Sequence, residues 1–211
     1  MVKYLTGVSN AAVRAVAFER QIGLLITPDT GYARQISAYP FWAADNACFN
    51  HPERFVTEEY LDWLDSIPTE QRESCLFATA PDVVGDAKAT LERSAPVLPL
   101  LRKLGYKAAL VAQDGLENLD IPWESFDVLF IGGSTEWKLG EQCRKICAIA
   151  KLLGKQVHFG RVNSFKRLKI ADDFGADTAD GTFLAFGPSQ NLPRLLSWLD
   201  KLEAVQYATV Q

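Results

Sequence analysis

Four acids, Asp45, Asp82, Asp114 and Asp180, each stand at or within two residues of the end of a short apolar run. The runs are "FWAAD" (41–45), "LFATA" (76–80), "AALVA" (108–112) and "ADTAD" (176–180). Other runs end on Pro28-Asp29, Gly132-Gly133 and Gly160-Arg161. A single carboxylate in such a place is usually a helix cap, and Asp86 reads as one. Several on one rim are another matter, because like charges brought together are costly without a purpose. Such a cluster suits proton transfer and the stabilisation of a developing positive charge.

These residues meet only if the runs are parallel strands whose ends share one face. Eight β-rich runs can be read: 4–8, 23–27, 41–45, 76–80, 108–112, 128–132, 156–160 and 176–180. Helix-like pieces lie between them at 10–20, 57–66, 86–104, 138–153, 164–174 and 191–203, with shorter ones near 30–37 and 116–126. Asn163-Ser164 and Thr57 with its following acids are helix-start signals. Eight alternations predict a compact (β/α)8 TIM barrel over 1–211, a single domain; a doubly wound open sheet would alternate in the same way. Barrels of this class build their sites at the C-terminal strand ends, where the polar residues fall.

The 211 residues suit one domain with a sizeable core, and 48% hydrophobic with 23% charged residues is an ordinary soluble composition. No apolar run is long enough to cross a bilayer, and "MVKYLTGVSN" lacks the features of a signal peptide, so a cytoplasmic location is expected. Cys48, Cys75, Cys143 and Cys147 form no CxxC pair, and they read as reduced buried thiols, with no metal expected. The net charge is −4, yet residues 138–169 hold nine Lys/Arg against the single acid Glu141. That segment is either a set of solvated helix faces or a path for a phosphate backbone.

The motifs resemble the tRNA-guanine transglycosylase superfamily, and most closely its compact deazapurine DNA-modification transglycosylases of phages and mobile elements. The resemblance runs from about Asp29 to Trp198. "ADNACF" (44–49) stands at the family's Asp-Ser-Gly-Gly-aromatic signature, although Ala47 and Cys48 replace its two glycines. It implies Asp45 as general acid/base and Phe49 as an aromatic stacking on the base. "APDVVGD" (80–86) implies Asp82 as a reader of the base, and "VAQDG" (111–115) implies Gln113 as a base-edge contact. "FIGGSTEWKLG" (130–140) implies base-facing amides at Gly132 and Gly133. "HFGRVNS" (158–164) implies Phe159 as the second stacking face beside Gly160. "GADTADGTF" (175–183) implies Asp180 as nucleophile, with Asp177 a structural acid.

The implied reaction is exchange of guanine in DNA for a 7-deazaguanine such as preQ0, without a cofactor. An anionic Asp180 suits the positive charge that develops at C1′, and Gly181 would leave room for the sugar. Lys138, Arg161, Lys166 and Arg167 would follow the DNA backbone of a single strand or a flipped base. Two readings use the same residues otherwise: a DNA glycosylase leaving an abasic site, or a non-catalytic barrel binding base or DNA. "FGRVNS" before a helix is also compatible with a phosphate site of a different barrel class. The family's zinc subdomain is missing from this sequence, which turns the expectation from tRNA toward DNA. An accessory protein giving access to DNA is a further expected partner, and a membrane is not.

Overall fold

The computed structural model describes residues 2–48 and 55–209. Eight parallel strands close into a barrel in chain order. They are β1 (Lys3–Thr6), β2 (Ile22–Ile26), β3 (Trp42–Ala44), β4 (Cys75–Thr79), β5 (Ala108–Ala112), β6 (Val128–Ile131), β7 (Gln156–Phe159) and β8 (Thr178–Gly181). Closure is made by β1 against β8, with Leu5 opposite Asp180. The open-sheet alternative is thereby excluded.

Successive side chains of a strand face opposite ways, so each strand divides its residues between two cores. Leu5, Leu25, Ala43, Phe77, Val111 and Phe130 fill the barrel interior. Their neighbours, such as Tyr4, Leu24, Trp42, Leu110, Ile131 and Phe159, pack outward against the helices. Near the floor the Phe41 ring lies where a side chain on Gly23 would be, so a residue larger than glycine would collide with it.

The helices are α1 (Ala11–Ala17), α2 (Thr57–Asp65), α3 (Thr69–Arg72), α4 (Ala87–Ser94), α5 (Leu98–Lys103), α6 (Thr135–Lys138), α7 (Glu141–Leu152), α8 (Phe165–Asp173) and α9 (Pro188–Thr209). Asn10, Asp86 and Ser164 cap α1, α4 and α8, each accepting a backbone N–H of the first turn. The single helix expected over 86–104 is two. Pro96 lies in the break between α4 and α5, and Pro99 falls in the first turn of α5, where its missing N–H costs nothing. The piece expected at 138–153 likewise divides at Gly140 into α6 and α7. The stretches near 30–37 and 116–126 are short 3-10 turns. Among the described residues no helix is long and apolar enough to cross a membrane.

Candidate active site at the strand ends

A cavity of about 360 Å³ opens at the C-terminal ends of the strands. Such a volume lies in the range of small-molecule sites. Asp45 from the end of β3, Asp82 beyond β4 and Asp180 from β8 all line it. The fourth acid, Asp114, does not: it accepts hydrogen bonds from the Ser134 backbone N–H (2.6 Å) and hydroxyl (2.5 Å), while Asp86 caps α4 as expected.

Asp82 is 7% exposed and held from two sides. Asn46 Nδ2 donates to its Oδ1 at 3.0 Å, and Gln113 Nε2 donates to its Oδ2 at 2.7 Å. Burial raises its carboxyl, and the Asn46 and Gln113 hydrogen bonds act in the opposite direction. Gln113 Oε1 accepts the Gly85 N–H at 3.0 Å, which fixes the amide's orientation. Asn46 also donates to Ala80 O (2.8 Å) and accepts from Cys48 N (2.7 Å), stitching the end of β3 to that of β4. Ala47 has a φ of 62°, a conformation in which glycine is at ease and alanine is strained.

Asp45 accepts the Asn46 N–H at 2.7 Å. Burial pushes its carboxyl up to about 7, and the charges of Asp180 and then Asp82 add to the rise. This acid can therefore hold or release a proton near neutrality. Asp180 is 9% exposed, and its Oδ1 lies 3.0 Å from Nε2 of the fully buried His158. His158 Nδ1 is in turn 2.8 Å from Thr178 Oγ1. The cavity thus joins an anchored carboxyl group, Asp180, to a proton-exchanging one, Asp45, with a third, Asp82, fixed by the Asn46 and Gln113 amides.

Several expectations are corrected. Phe159 is 1% exposed and packs outward, its ring 6.0 Å from that of Phe174, so it gives the cavity no stacking face. Phe130 lines the cavity instead. The Gly132 and Gly133 amides are not available to a base, because both donate to Ala112 O at 3.0 Å. Gly132 still lines the cavity, and its missing side chain makes room for Val111 and Gln113; Gly133 packs against Trp137 and Asp114. Gly160 also lines the cavity, with Phe130 against it. The space beside Asp180 is not what Gly181 provides: a side chain there would meet Val162 O and the Tyr4 hydroxyl at 2.5 Å.

Lys138 is 1% exposed and donates to Gly160 O at 2.7 Å, so it is a buried strut and not a backbone-phosphate contact. Burial, then the positive charge of Arg161, lowers its ammonium to about 8. Arg161, at a φ of 59°, lines the cavity while donating to Gly132 O and Gly133 O. Lys166 and Arg167 stand in the first turn of α8, Lys166 exposed and Arg167 half-buried with its guanidinium donating to Arg161 O at 3.4 Å. The rest of the basic segment disperses. Lys151 pairs with Asp177 at 2.7 Å, giving that acid its structural role, and Lys169 pairs with Asp173. Phe49 lies outside the described residues. Cys143 and Cys147 are buried thiols one turn apart on α7, and no cluster among the described residues is arranged to hold a metal.

His158, Thr178, Asn46 and Phe130 are site residues the sequence reading passes over. For His158 and Phe130 the signal is strand alternation: if Gly160 faces the cavity, so does His158, and Phe159 cannot. The same parity takes Phe130 inward with Gly132.

No family model matches the chain, and no curated protein matches it. Among solved structures it is similar to one described as native KDPGal, at 15% identity and a TM-score of 0.56, covering 97% of this chain and 95% of that one. It is also similar to a Sinorhizobium meliloti protein described as an isomerase, in an open-loop conformation, at 12% identity and a TM-score of 0.56. That match covers 89% of this chain and 52% of the other. These likenesses establish the fold: the chain is a compact (β/α)8 barrel.

Proposed function

We propose that this barrel is a base-exchange transglycosylase that replaces guanine in DNA with a 7-deazaguanine base. The observation that carries the reading is the convergence of Asp45, Asp82 and Asp180, from three strand ends, on one cavity of about 360 Å³. The sequence resemblance supplies the choice of substrate. Asp180 attacks the sugar C1′ as the bond to the departing guanine breaks. The bonding pair leaves with the base, which takes the proton of Asp45. A glycosyl ester of Asp180 results. Asp45, now a carboxylate, takes a proton from the incoming 7-deazaguanine. The freed nitrogen attacks C1′ and returns the ester's bonding pair to Asp180.

Asp82 suits the N1–H and 2-amino donors of a guanine-like base, since a carboxylate can accept more than the two hydrogen bonds it already has. Phe130 offers an apolar surface in the same cavity. Lys166 and Arg167, in the first turn of α8, would supply positive charge to a phosphate backbone.

The test is mass spectrometry of nucleosides from guanine-containing single-stranded DNA, and separately from tRNA, after incubation with the protein and preQ0. A deazaguanine deoxynucleoside formed by the wild type and not by Asp180→Ala is the expected result. Abasic sites without incorporation would mean a glycosylase, and incorporation into tRNA alone would overturn the DNA assignment.

A further inference from the structure

We infer that His158, with Thr178 behind it, is the positioning residue of Asp180, fixing which carboxylate oxygen faces the substrate. The inference rests on the role of Asp180 proposed above. The barrel interior is otherwise largely apolar, and a fully buried imidazole there needs partners for both ring nitrogens. It has them on the adjacent strand. His158 stands opposite Thr178 in the β7–β8 register, and Asp180 is two residues further along the same inward row. The ring therefore spans both, with Nδ1 2.8 Å from Thr178 Oγ1 and Nε2 3.0 Å from Asp180 Oδ1.

The chemistry sets the tautomer. An ionised Asp180 can only accept, so Nε2 carries the hydrogen and donates it. With the hydrogen of a neutral imidazole at Nε2, Nδ1 is the ring's acceptor and the Thr178 hydroxyl its donor. Two aromatic rings hold the imidazole plane, Phe130 at 4.4 Å and Phe77 at 4.9 Å between centroids. Phe130 also lines the cavity, so the wall that meets the substrate is the wall that braces the histidine. With Oδ1 held by His158, Oδ2 is the oxygen left to attack C1′. Misplacement of a reacting atom by about 1 Å can lower a rate about 10²-fold, which sets the size of effect to expect.

Two readouts test this independently. The chain has two histidines, so histidine-selective 15N labelling gives a simple spectrum, and His158→Gln assigns its signals. The expected spectrum has a slowly exchanging Nε2-bound proton on His158 that shifts and exchanges faster in Asp180→Ala. An Nδ1-bound tautomer, or a signal indifferent to Asp180→Ala, would overturn the inference.

In kinetics, His158→Gln should lower kcat for base exchange about 10²-fold while the Kd of free preQ0 stays within threefold. Thr178→Val, nearly isosteric, should lower kcat about tenfold, with little added loss when combined with His158→Gln. A kcat within threefold of wild type in both single variants, or preQ0 affinity lost in step with kcat, would overturn it. Failure of the transglycosylase reading is seen elsewhere, as a wild type that incorporates no base. In that event the role for Asp180 as nucleophile falls, and with it the positioning role, whatever the spectrum shows.

Discussion

Neutralising Asp45 should stabilise the protein, and only above acidic pH. Its carboxyl rises from 3.8 to about 7 on folding, through burial first and then the charges of Asp180 and Asp82. At 1.36 kcal/mol per unit this amounts to about 4 kcal/mol, an upper figure because Asp45 is partly open to the cavity. Below pH 3.8 the group is protonated in both the folded and the unfolded chain, and it carries no penalty. As the pH rises toward 7 the unfolded chain ionises first and the folded state loses stability; above about 7 the loss is complete. Asp45→Asn removes the titration while keeping the shape and one acceptor for the Asn46 N–H. Urea unfolding at intervals from pH 4 to 8.5 should show the variant gaining on wild type between about pH 4 and 7, reaching about 2–4 kcal/mol and then levelling off. A difference that does not vary with pH, or that favours wild type at pH 8, would refute the reasoning. The gain would be expected to accompany lost activity, as at other sites that hold charges together for chemistry.

Three other outcomes are expected. Under the proposed reaction, wild-type kcat/KM should fall as the pH rises through about 7, when Asp45 loses the proton needed by the departing base; initial rates from pH 5.5 to 9 check this. Gly160→Ala would bring a methyl to 2.8 Å from the Phe130 ring, which must move, so preQ0 binding measured by calorimetry should weaken tenfold or more. Lys138 has the opposite sign to Asp45. Its ammonium falls from 10.5 to about 8 on folding, so wild type should gain up to about 3 kcal/mol relative to Lys138→Met between pH 8 and 10.5, again by urea unfolding.

Most of the barrel is legible in the sequence because its strands are short apolar runs separated by capped helices. Each of the eight runs lies within about two residues of the strand observed. The helix over 86–104 misleads because its apolar content continues across Pro96, whose ring cannot be accommodated in a helix interior. At the site, position along the strand is readable and direction is less so. The ends of β3, β4, β5 and β8 supply Asp45, Asp82, Gln113 and Asp180 to one cavity. Phe159 is misassigned because the motif match outweighs alternation, although Gly160 beside it already implies that it faces outward. The Gly132 and Gly133 amides look free from sequence, and only the fold reveals that Ala112 O occupies both. Lys138 shows the same limit for charge: a lysine in a basic run reads as surface, and its burial against Gly160 O is a tertiary fact.

The most direct test of the account is whether Asp180 becomes covalently attached to the sugar. The protein would be incubated with guanine-containing single-stranded DNA without an incoming base, denatured, and examined by intact-mass and peptide mass spectrometry. The account predicts a protein–DNA ester on Asp180, cleaved by mild hydroxide and absent from Asp180→Ala. An active wild type that forms no adduct, or an adduct that survives in Asp180→Ala, would contradict it.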